Sequence, residues 1–173
     1  MALHLAFYLA SWGMYRGSSF LLQKDYKIHI PIIQVLMENK YECLSAVSAE
    51  KLLSQETQNL VLELKERMID SYGQKITDTL ATKILLGTLG CTPAYDRYFN
   101  YGLRKHNVAP AILNNSSLEG IAKFYLNNYD ELELIRDQIN SHGVIYPHMK
   151  ILDMCFWQIG FDDDIEKENG DDL

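Results

Sequence analysis

Three things are scarce in this 173-residue chain, and each scarcity removes a class of function. The first is paired cysteine. Cys43, Cys91 and Cys155 are odd in number and form no Cys-x-x-Cys, which argues against a zinc ribbon or disulfide framework and predicts reduced thiols in a cytoplasmic protein. His142 and His148 likewise have no Cys or acid at a chelating spacing, so neither a metal site nor a cofactor is expected.

The second scarcity is a clean apolar run long enough for a bilayer. The opening MALHLAFYLASWGMYRGSSFLL comes nearest, but Gly13, Arg16, Gly17 and the Ser18–Ser19 pair interrupt it, and the segment itself has no basic n-region or cleavage site. An Arg at the centre of a spanning helix costs roughly 2.5–3.5 kcal/mol. The expectation is a core helix over about residues 2–23 and no membrane contact. The third scarcity is positive charge. The net charge is −7, yet Asp162–Leu173 holds seven acids against Lys167, which leaves residues 1–161 near −1. That body neither attracts nor repels an anionic partner by bulk charge. The last twelve residues have almost no apolar content and predict a disordered acidic tail, 162–173, behind a helical domain, 1–161.

What is present is an ordinary globular composition, 47% apolar and 23% charged, punctuated as helices. Pro31 sits at a first-turn position before an apolar segment. A long helix is predicted from Ser54 to Tyr72: Leu60, Val61, Leu64, Met68 and Tyr72 share one face, and Gly73 follows as a C-cap. Asp78–Leu89 forms the next, stopped by Gly90. Thr92 and Pro93 supply an N-cap and first residue for a helix through Leu103. Ser116–Glu119 and Asn128–Glu131 fit capping boxes, and Pro147 opens a final helix closed by Gly160. No segment alternates with period two between hairpin turns. The fold class is all-α, a single compact domain of seven to eight helices, with Trp12 and Trp157 expected in one core.

The stretch with most chemistry is LGTLGCTPAYDRYFNYGLRK, residues 86–105. Asp96 there has two readings. In one it is a first-turn carboxylate favoured by the helix dipole; in the other it is a catalytic or ligand-binding group at a helix N-terminus. Arg97, Arg104 and Lys105 interleave with Tyr95, Tyr98, Phe99 and Tyr101. Such a stripe contacts phosphates and stacks on bases, or else forms a solvated edge beside core-facing rings.

The segment TLATKILLGTLGCTPAYDRYF resembles the catalytic stretch of helix-hairpin-helix base-excision DNA glycosylases, in which a helix bears a Lys and Pro-x-x-Asp opens the next helix. The resemblance spans about 20 residues and lacks the family's apolar-Pro-Gly-apolar-Gly hairpin. It implies Lys83 as a Schiff-base lysine and Asp96 as the catalytic aspartate, with Pro93 in the intervening loop. An amine on an apolar helix face suits attack on a sugar carbon, with a carboxylate stabilising developing charge.

Two further constellations remain. Arg136, five residues, then His142 fits the loose Arg–His pattern of HEPN-type RNases, although His142 before Gly143 also suits a helix end. Arg16 among aromatics and Asp153 among apolar residues form a buried ion pair or line an anion-binding pocket, which the small Gly13, Gly17, Ser18 and Ser19 would let a ligand approach. The resulting expectation is a helical binding domain with a charged site at Arg16, Lys83, Asp96, Arg97 and Asp153. Nucleic acid or a nucleotide-like ligand is the first partner to consider. The alternatives are glycosylase/lyase chemistry at Lys83 and Asp96, RNase chemistry at Arg136 and His142, and a structural or protein-interaction module.

Overall fold

A computed structural model describes residues 1–140 and 143–170. Nine α-helices occur among them: α1 (Ala2–Ser11), α2 (Ile30–Leu36), α3 (Ala49–Leu52), α4 (Gln55–Tyr72), α5 (Asp78–Thr88), α6 (Arg97–Lys105), α7 (Asn115–Asn127), α8 (Tyr129–Ile139) and α9 (His148–Gly170). There is no strand among the described residues, and 3-10 turns at Phe20–Gln23, Tyr26–His29 and Asn39–Leu44 link the early helices. The domain is all-α and compact around one core, and no described helix is long and apolar enough to cross a membrane.

Local signals explain much of this. Ser54 caps α4 through the Thr57 N–H at 3.1 Å, and Gly73 closes it in the left-handed region. Val61, Leu64, Met68 and Tyr72 are buried along its inner face, so the 3.6-residue period specifies which side meets the core. The helix α5 is buried from Leu80 to Leu86, with Thr82 and Lys83 as polar residues inside that stretch, and packs against α1.

The first helix is shorter than its apolar run predicts. Gly13 and Gly17 adopt φ of +70° and +63°, a region that disfavours side chains, and the chain turns away after Ser11. This turn leaves Trp12 at a helix end, 38% exposed rather than in the core.

The last helix is longer than predicted. Gly160 does not end α9; it is a notch in mid-helix where a Cβ would overlap the Tyr98 backbone, so α6 and α9 lie in close contact. Phe99 meets Phe156 edge-on with ring centroids 5.8 Å apart in the same seam. Residues 162–170, expected as part of a disordered tail, continue the helix; 171–173 lie outside the described residues. Their acids have partners that composition does not reveal. Asp163 accepts hydrogen bonds from Tyr101 at 2.5 Å and Lys105 at 3.2 Å, and Asp164 accepts from Tyr98 and Arg97 at 3.0 Å. Lys167, one turn on, reaches Asp163 at 2.5 Å. Those donors hold the Asp163 carboxyl at a pKa of about 2, the Lys167 contact contributing most.

Candidate functional site

Where α5, α6 and the turn after α1 converge, the chain leaves a cleft of about 580 Å³, a size that suits a small organic ligand. Lys83 enters it from the inner face of α5. Its side chain is only 5% exposed, and its Nζ donates to Asp96 Oδ2 at 3.0 Å. The same ammonium lies 4.3 Å from the Trp12 ring centroid, so a carboxylate and a π-face together compensate a nearly buried charge.

Asp96 does two jobs. It is the N-cap of α6, with Oδ1 accepting from the Tyr98 and Phe99 N–H groups at 3.1 Å each. The expected cap, Thr92, instead donates to the Pro93 carbonyl at 2.7 Å, and Pro93 lies ahead of the helix. The loop 92–96 is fastened from both sides. Thr79 Oγ1 donates to the Tyr95 carbonyl, Thr82 Oγ1 accepts from the Tyr95 N–H, and Asp153 Oδ1 accepts from the Ala94 N–H, all at 2.8–2.9 Å.

Aromatic rings and two arginines complete the lining. Trp12, Tyr98 and Trp157, with Arg16 and Arg97, all border the cleft. Tyr98 and Trp157 pack edge-on at 5.1 Å, and Trp157 stacks on Phe161 at 4.9 Å. Arg97 reaches Asp164 and the Tyr98 hydroxyl, whereas Arg16 has no carboxylate partner among the described residues.

Tyr15, also on the wall, anchors the turn that carries Trp12 and Arg16. Its hydroxyl lies 2.6 Å from His29 Nε2, and His29 Nδ1 lies 2.8 Å from the Tyr72 hydroxyl on α4. In the neutral ring one nitrogen accepts from a tyrosine and the other donates to the second. His29 is fully buried, and burial lowers its pKa to about 4.

The structure thus brings Arg16, Lys83, Asp96 and Arg97 to one cleft and leaves the other predicted site residues outside it. Asp153 is buried, and its carboxylate takes the Ala94 N–H and the Lys150 ammonium, the latter at 2.8 Å; it is a brace between α9 and the loop, not an ion-pair partner of Arg16. Lys105 is bound to Asp163, and Arg104 is exposed near the far end of α6. Arg136 is held by Glu133 at 2.6 Å and by the Tyr146 carbonyl at 2.7 Å, which ties it into the α8–α9 connection; His142 lies outside the described residues.

Sequence reasoning missed the tryptophans as cleft walls. The signal was Trp12 directly before Gly13, a helix-ending position. It also missed the Tyr15–His29–Tyr72 chain, whose spacing carries no pattern. A second cleft of about 400 Å³ between α1, α2 and α5 is apolar and has no Lys, Arg, Asp or Glu in its lining. No group of three His, Cys, Asp or Glu side chains is placed to hold a metal among the described residues. No protein-family model, curated protein or solved structure matches this chain.

Proposed function

We propose that the cleft binds a nucleotide-like ligand, with the ring system against Trp12, Trp157 and Tyr98 and the anionic group at Arg16 and Arg97. One observation carries this reading: the chain's two tryptophans line the same cleft as two arginines and a nearly buried lysine. Flat π-faces beside guanidinium groups match a ligand that is aromatic at one end and anionic at the other. The free Cys43, Cys91 and Cys155 support a reducing, cytoplasmic setting.

Both tryptophans report on the site, so intrinsic fluorescence tests it directly. AMP is expected to give saturable quenching, and Arg16→Ala to weaken AMP several-fold while leaving adenosine nearly unaffected. Absence of any saturable change with AMP or adenosine at millimolar concentration would sink the reading and leave a helical interaction module.

A lyase is the second reading, favoured by the 3.0 Å approach of Lys83 Nζ to Asp96 inside the cleft. Asp96 would take a proton from the ammonium. The free amine would then add to the C1′ aldehyde of an abasic deoxyribose and expel water to leave an imine. Borohydride reduces such an imine to a stable amine. A trapped adduct lost in Lys83→Ala supports the reading, and no adduct with the wild-type protein removes it.

A further inference from the structure

The cleft is not closed at Arg16. Gly13, Met14 and Arg16 also line a second groove of about 450 Å³, which Lys75 and Thr77 border on the far side. Ser18, Ser19 and Phe20 in turn are shared with a third hollow of about 310 Å³ that ends at Gln23 and Lys24. The turn between α1 and the Phe20–Gln23 segment therefore borders three successive hollows, together called the furrow.

Its charge is one-sided. Among the residues lining the three hollows the sole carboxylate is Asp96, already committed to Lys83 and to the α6 N-terminus. Arg16, Lys24 and Lys75 have no carboxylate partner among the described residues, whereas most other cations of the chain are paired. Asp25 caps the Tyr26–His29 turn through the Lys27 N–H at 2.8 Å, and Asp164 holds Arg97. Ser19 Oγ and Thr77 Oγ1 accept backbone N–H groups from Leu21 and Leu80, which leaves each hydroxyl proton free to donate outward.

We propose that this furrow is a track for single-stranded nucleic acid: one base lodges in the aromatic cleft while the following phosphates pass Arg16 and run on to Lys75 and Lys24. The assignment rests on the nucleotide-binding reading of the cleft and extends it from a monomer to a chain. A mononucleotide needs only the first hollow, and cations spaced along two more match a repeating anion. A duplex keeps its bases stacked inside and offers nothing to Trp12, Tyr98 and Trp157.

The test compares a fluorescein-labelled oligothymidylate of about twelve nucleotides, within the ~4–16 nucleotide range of single-strand sites, with AMP and with a duplex of the same length. The oligomer is expected to bind at least about tenfold tighter than AMP. Lys24→Ala/Lys75→Ala is expected to weaken it by about tenfold and to flatten its salt dependence by about 1.4 log units per log unit of salt, two contacts at ~0.7 each. The same variant leaves AMP affinity within about twofold and the melting temperature unchanged, since both lysines are exposed. If AMP saturates the cleft but the oligomer binds no tighter and the double variant changes nothing, the track is wrong and the cleft stands. A duplex bound as tightly, with the same lysine dependence, overturns the single-strand assignment. If neither AMP nor the oligomer binds, both readings fall together.

Discussion

Lys83 and Asp96, thirteen residues apart in the chain, meet at 3.0 Å while the other oxygen of the same carboxylate caps α6. The pair is therefore asymmetric. Removing the acid strands a nearly buried ammonium and uncaps a helix; removing the amine leaves a carboxylate that still has two N–H partners.

Asp96→Ala is accordingly expected to cost about 3–5 kcal/mol for the stranded charge, with about 1 kcal/mol more from the cap. Lys83→Met is expected to cost clearly less, and Lys83→Met/Asp96→Asn to recover much of the loss of Asp96→Ala. Urea denaturation measures all three. Equal losses for Asp96→Ala and Lys83→Met would show that the ion pair, not the stranded charge, dominates.

A pH titration of stability should report His29. Its pKa falls from 6.5 to about 4 on folding because burial between Tyr15 and Tyr72 disfavours the charged ring. Between those values the unfolded chain binds a proton that the folded chain does not. Stability from this group is complete above about pH 6.5 and is lost as pH falls towards 4, by on the order of 2–3 kcal/mol. His29→Gln should flatten that slope; an unchanged slope would mean that other groups set it.

The α9 extension predicts a sensitivity that composition denies. Asp163 and Asp164 bind Tyr101, Lys105, Arg97 and Tyr98 on α6, so deleting 162–173 should lower Tm by about 3 °C or more. Exposed ion pairs are screened by salt, and the difference should shrink in high salt. A deletion that melts like wild type would show these contacts to be energetically idle.

Much of the fold was legible because its signals are local. Ser54 and Gly73 bracket α4, and the period along Val61, Leu64, Met68 and Tyr72 fixes its buried face. Lys83 and Asp96 come together in the sequence only through the glycosylase-like segment, and their spacing alone does not show the 3.0 Å contact between them. What failed depended on distant partners. Gly160 read as a helix stop because nothing nearby shows that Tyr98 lies against it. Asp163 read as solvated because its partners Tyr101 and Lys105 lie about sixty positions upstream. Asp153 read as a site residue because burial of a charge is visible in sequence, but not its use as a brace for Ala94.

Gly160→Ala should cost about 1–3 kcal/mol through overpacking, and less than that would mean that α9 can slide. Trp157 and Phe161 flank position 160, and Tyr98 opposite it is also a cleft residue. A single added methyl would thus act as a wedge between two helices, displacing the Tyr98 backbone and with it one wall of the cleft. The aperture of the binding site is gauged from behind, by an atom the sequence leaves out, and ligand affinity should fall in this variant even at temperatures where it remains fully folded.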